Sequence, residues 1–144
     1  MYIDMDYILA RVKQEDLKAV TREKDGPDEI NETKVNAAIV DASAEFDRAA
    51  AQAGYVIPIV NPDDFVKRVV FDIALYYLYA GKYDDEEMKD VYVRYNKAFQ
   101  KLNAIAEGDI KLVNAEAVKL YDLNTVIKTN KTIEDRKFAN LGVM

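Results

Sequence analysis

The 144-residue chain has no cysteine, no histidine and no tryptophan, and it has only three prolines and five glycines. Without cysteine or histidine there is no disulfide, no thiolate nucleophile, no Cys/His zinc site and no Ser-His or Cys-His catalytic pair. The glycines are scattered singly, which leaves no glycine-rich phosphate loop, Walker pattern or dinucleotide fingerprint. No stretch approaches the roughly 18 apolar residues of a membrane span. The opening MYIDMDYILARVK has acids inside its short apolar run and does not read as a secretory leader. The expectation is a protein with no cofactor and no membrane association, and the lack of cysteine fits the cytosol.

What is present is ordinary for a globular domain: 50% hydrophobic residues, 32% charged, and a net charge of −6. At this charge a broad basic face for gripping phosphates is not expected, nor is specific nucleic-acid binding. The length fits one domain. Charge is uneven along it: residues 1–113 carry 15 basic and 22 acidic side chains, whereas residues 114–144 carry 5 and 4. The division predicted is a helical body over 1–113 and a C-terminal arm over 114–144, partly extended.

Hydrophobic spacing predicts an all-α fold. Two short helices come first, one capped by Asp4 or Asp6 and running through Ile8, Leu9 and Val12, the other over Gln14 to Val20. The charged stretch TREKDGPDEIN, residues 21–31, reads as a surface loop. Val35, Ala38, Ile39, Ala42, Phe46, Ala49, Ala50 and Ala53 then recur at three- or four-residue spacing, and Gly54 stands where a left-handed helix cap is wanted. Asn61 as cap and Pro62 as first helical residue predict a second long helix, apolar nearly all round from Val69 to Ala80 except at Asp72. Asp84 and Glu87 have capping-box spacing ahead of a third stripe, Met88, Val91, Tyr92, Tyr95, Phe99, Leu102 and Ile105, which Gly108 ends. Short connections predict an antiparallel bundle of three long and two short helices. Beyond Gly108, IKLV suggests a short strand and NAEAVKLYDL a helical turn or two.

One stretch does not fit a helix. In QAGYVIPIVNPDDF the residues Tyr55, Val56, Ile57, Pro58, Ile59 and Val60 form an apolar run with no evident strand partner. Pro58 and Pro62 stiffen it and bias the residues before them toward extended backbone. Alternation would turn Val56, Pro58 and Val60 one way and Tyr55, Ile57 and Ile59 the other. Either one set is offered to a neighbouring chain, or both sets plug the chain's own core.

Candidate chemistry is confined to carboxylates. Asp84, Asp85, Glu86, Glu87 and Asp90 gather at a helix start, where a metal-dependent hydrolase would need them, but where the helix dipole also collects acids. Asp41 and Glu45 lie one turn apart, away from the apolar stripe of their helix. Asp72, on the central helix, needs a cation, and Arg68, Arg48 and Arg94 are the candidates for a structural ion pair. The chain has ten tyrosines, and Tyr76, Tyr77 and Tyr79 cannot all face one core.

In order along the chain, IVDASAEFDRAAAQAGYVIP, then Pro62 followed by FDIALYYLYAG, then RYNKAFQKLNAIAEGDIKL together resemble a family of Mu-like phage and prophage proteins that act at the head–tail junction. The residues carrying the resemblance are Asp72, Ile73, Ala74, Tyr76 and Leu78, then Arg94, Tyr95, Ala98, Leu102 and Ile105, then Gly108, Lys111 and Leu112. It implies a small helical adaptor with no catalytic residues, repeated as a ring beneath the portal. It further implies partnership with portal and tail-completion proteins, host cytoplasm as the place of assembly, and the virion as destination. The alternatives from the residues alone are a small hydrolase using the acids at 84–90 and a regulatory protein that buries a partner helix.

Overall fold

The computed structural model describes residues 1–84 and 86–118. Five helices follow in order: α1 (Met5–Leu9), α2 (Gln14–Thr21), α3 (Glu32–Gln52), α4 (Asp64–Tyr79) and α5 (Lys89–Ala106). Helices α3, α4 and α5 pack mutually into an antiparallel bundle, with α1 and α2 laid against it. Lys101, late in α5, lies 5.7 Å above the ring of Phe65 at the start of α4, while Tyr92 at the other end of α5 meets Tyr76 near the end of α4.

Helix α4 is central because, past Arg68, its sequence carries no charged residue except Asp72. Val66, Val69, Val70, Phe71, Ile73, Ala74, Leu75 and Leu78 are all buried, and Asp72 with them. Helix α3 covers it with Val35, Ile39, Ala42, Phe46 and Ala50, none exposing surface. Alanine on that stripe keeps the backbones close, and Phe46 fills the space left between small neighbours. Helix α5 buries Val91, Ala98, Leu102 and Ile105. Phe99, which its spacing assigns to the same stripe, is 40% exposed, because Ala98 takes the inward position one residue earlier. Each fully buried Val, Leu or Ile contributes roughly 1.5–3 kcal/mol relative to exposure.

The helix ends follow local chemistry, with shifts from the sequence expectation. Asp4 caps α1 by accepting from the Tyr7 N–H at 2.9 Å, and Asn31 caps α3 by accepting from Lys34. Helix α4 begins two residues later than Asn61 and Pro62 suggest. Asp63 is its cap and accepts from the Val66 N–H at 3.0 Å, a bond that Asn61 is placed too early to make for this helix. Helix α5 likewise starts past the expected capping box. Asp84 accepts from the Glu86 and Glu87 N–H groups, holding a separate turn, and the helix proper begins at Lys89 without a side-chain cap. At the end of α3, Gly54 takes φ +89°, which lets the Gly54 and Tyr55 N–H groups reach back to the Ala51 and Ala50 carbonyls.

Two regions differ from expectation in kind. No strand forms over residues 110–113, and no helical turn forms over 115–118. Instead Ala117 pairs with Tyr55 as an isolated antiparallel bridge. Residues 119–144, the rest of the predicted arm, lie outside the described residues. The stretch 21–31 is a surface loop only after its first residue. Thr21 is fully buried, its hydroxyl donating to the Leu17 carbonyl at 2.8 Å and accepting from the Asn31 N–H at 3.0 Å. One side chain therefore closes α2 and fixes the entry to α3.

Thr21→Val keeps the shape and removes both bonds, so it should destabilise by about 1–3 kcal/mol through the unpaired Asn31 donor. Thr21→Ser should lose less. Urea unfolding of the two variants would check this, and equal losses would mean that the methyl group, not the hydroxyl, is what matters.

Candidate assembly surface

The apolar run between α3 and α4 is held from several directions, each by a residue distant in sequence. The chain leaves α3 at Gly54 and immediately pairs with the start of the arm. The Val56 N–H donates to the Glu116 carbonyl and the Val118 N–H to the Gly54 carbonyl, both at 2.7 Å. Tyr55 and Ala117 thus face each other as the non-hydrogen-bonded pair of an antiparallel ladder, where side chains approach most closely. The Tyr55 ring is half-buried, and its hydroxyl accepts from the Leu112 N–H at 3.0 Å.

The other anchor comes from the N-terminus. Tyr2 is buried edge-on against Phe46, with centroids 5.1 Å apart. Its hydroxyl donates to the Asp47 carboxylate and accepts from the Ile59 N–H at 2.9 Å. Its own N–H points at the Ser43 hydroxyl, 3.4 Å away. Burial and then the Asp47 carboxylate push the Tyr2 hydroxyl well above the usual tyrosine range, so it stays a proton donor at any physiological pH.

These tethers decide which side chains face outward, and they correct the simple alternation. Ile59 is 4% exposed and packs in the core, and Tyr55 is half-buried. Val56, Ile57, Pro58 and Val60 are exposed, Val60 by 85%. Ile57 does not join Tyr55 and Ile59 because the backbone bends at residues 57–58 and again at 60–61, and strict alternation holds only along a straight strand. Val118, on the arm beside this run, is exposed as well. The result is an apolar surface on backbone that is bonded on both flanks.

Asp72 is buried and pairs with Arg94. The guanidinium donates to one carboxylate oxygen through Nη2 at 2.6 Å and Nε at 2.9 Å, and lies 5.3 Å from the Phe71 ring centroid. Arg68 projects to solvent, and Arg48 lines a recess between α3 and α5 with Glu45 and Phe99; neither reaches Asp72. Helix spacing favours Arg68, four residues from Asp72, but that favours contact only when both side chains share an exposed face.

The acids at 84–90 do not assemble a centre. Asp84 is turned onto backbone N–H groups, Glu86, Glu87 and Asp90 are exposed, and Asp85 lies outside the described residues. Among the described residues no group of three or more Asp or Glu side chains is placed to hold a metal ion. No helix among them is long and apolar enough to cross a membrane.

Sequence reasoning missed Tyr2 and Thr21. Both are local polar residues whose partners lie ten or more positions away, and no periodicity marks them.

A family model described as Bacteriophage Mu, Gp36 matches residues 2–126. A search of curated proteins gives no match.

Breaking a fully buried pair typically costs about 3–5 kcal/mol, but the Arg94 side chain is 47% exposed and can return to water. Asp72→Ala should therefore cost about 1–3 kcal/mol in thermal or urea unfolding, while Arg68→Ala should fall within about 0.5 kcal/mol. Tyr2→Phe leaves the buried Ile59 N–H without an acceptor and should cost about 1–3 kcal/mol. The same variant should speed hydrogen exchange at Ile59 ahead of α4. Unchanged exchange there would show that Tyr2 does not hold the connector.

Proposed function

The chain belongs to the Bacteriophage Mu Gp36 family, and from that premise we propose that it is a structural subunit of the head–tail junction, repeated as a ring under the portal. Its contacts are with further copies of itself, with the portal and with tail-completion proteins. It is assembled in host cytoplasm, is carried in the virion and performs no catalysis. The observation that carries this reading is the connector after α3. Val56, Ile57, Pro58 and Val60 are exposed apolar residues on a backbone bonded to the arm on one side and to Tyr2 on the other.

Apolar side chains on free loops fold inward or move. Here the surface is presented in fixed form, so little ordering entropy is left to lose on association. An exposed patch of this kind is what an assembly contact requires. The net charge of −6 suits a ring through which DNA passes, because an acidic lumen repels phosphate.

Ile57 is 42% exposed, so Ile57→Asp gives up some packing and should cost about 1 kcal/mol. The variant should stay folded by circular dichroism yet fail to join heads to tails in a complementation assay. Ile59→Asp buries a charge and should cost several kcal/mol, so it serves as the unfolding control and not as an assembly probe. Normal head–tail joining by a folded Ile57→Asp protein would remove the connector from the interface.

The same reading predicts no appreciable binding of random duplex DNA at physiological salt in a mobility-shift titration. Sub-micromolar affinity would contradict it, since non-specific binding requires a basic face.

A further inference from the structure

A second surface lies on the seam where α3 and α5 flank α4. Tyr76 of α4 stacks on Tyr95 of α5, with centroids 3.9 Å apart and planes 21° from parallel. Tyr77 lies 5.9 Å and Tyr92 5.5 Å from Tyr76, and Phe99 5.8 Å from Tyr95, so five rings form one strip. The four tyrosines are half-buried and Phe99 is exposed.

Helix α3 edges this strip with Asp41 and Glu45. Asp41 shares one recess with Tyr77, and Glu45 shares another with Phe99. Neither carboxylate has an ion-pair partner among the described residues. The lysines in the Asp41 recess are engaged elsewhere: Lys34 binds Glu23 at 2.7 Å, and Lys82 donates to the Arg22 carbonyl at 3.1 Å. Arg48 shares the Glu45 recess without reaching ion-pair distance of it. Burial, then Glu45, push the Tyr77 hydroxyl up to about 12, and Tyr95 is raised too, so the rings remain neutral at physiological pH.

The chain itself shows what such an arrangement holds. In the Asp72 pair, a guanidinium meets a carboxylate and lies over an aromatic ring. Arg11 likewise lies 3.6 Å over the Tyr7 ring. The α3–α5 strip has the carboxylates and the rings, and the one guanidinium lining its recesses, that of Arg48, is at ion-pair distance from neither carboxylate. We propose that this acid-edged aromatic strip takes an arginine side chain from a basic segment of a protein partner. A planar guanidinium can stack on a tyrosine face while its N–H fork meets a carboxylate, which a lysine ammonium cannot do. The net charge of −6 favours approach of a basic segment. The strip is separate from the connector and does not depend on its role.

The test is calorimetric titration of the full-length protein, at low salt, with a Gly-Arg-Gly-Arg-Gly peptide and its lysine and citrulline counterparts, alongside NMR of the tyrosine rings. The expected order is arginine, then lysine, then citrulline, with the Tyr77 and Tyr95 ring signals moving. Asp41→Asn with Glu45→Gln removes two charges from the edge and should weaken the arginine peptide by about tenfold. Asp6→Asn with Asp25→Asn removes the same charge from exposed positions elsewhere and should change affinity no more than about twofold. Four outcomes overturn the proposal: no binding, equal loss in the two double variants, no preference for arginine, or ring shifts confined to other tyrosines. Thermal unfolding of both double variants, expected to match the parent, ensures that a loss of binding is read as a loss of contacts.

Discussion

A sixteen-residue helix that is apolar on nearly every side has to be covered on every side, and α4 imposes that requirement on the whole chain. One neighbouring helix can cover only a stripe. Helices α3 and α5 take the two broad faces, and α1, α2 and the N-terminal residues Tyr2 and Ile3 join the same core. The short helices could not stand alone, since isolated helices of this length are marginal in water. They persist because Ile8, Leu17 and Val20 bury apolar surface on the bundle.

Covering α4 also decides how the connector runs. The chain must cross from the end of α3 to the start of α4 and must bury Ile59 on the way. The crossing carries peptide groups that need partners once water is excluded. Glu116 and Val118 supply them near Tyr55, and the Tyr2 hydroxyl supplies one at Ile59. With these positions fixed, Val56, Ile57, Pro58 and Val60 are left outside. The same bonds that make the crossing stable therefore hold its apolar side chains toward solvent, which is the feature on which the assembly reading rests.

Polar interactions inside the bundle set geometry more than they add stability. Asp72 reaches Arg94 at the edge of the α4–α5 seam, where the guanidinium keeps partial contact with water. That placement lowers the desolvation cost of the pair and fixes the relative register of the two helices. Thr21 does comparable work between α2 and α3, with a hydroxyl that donates to one helix and accepts from the entry to the next.

Much of the fold was legible in the sequence because helices obey local rules. The three- and four-residue spacing of Val35 to Ala50 in α3, the all-round apolar run of α4 and the glycines at 54 and 108 mark the long helices without any tertiary knowledge. Absences were equally legible: no cysteine, no histidine, no phosphate loop. The start of α4 moved from Asn61 to Asp63, two residues of similar capping ability two positions apart, and Asp63 is the one that bonds the Val66 N–H. Legibility ended where partners are distant. Nothing local says that Tyr2 bonds Ile59, that Ala117 returns to Tyr55, or that Asp72 meets Arg94 instead of Arg68. Spacing along one helix or strand is a property of the chain. Which outward-facing side chains remain uncovered is a property of how helices and connector close around α4, and only the tertiary structure decides it.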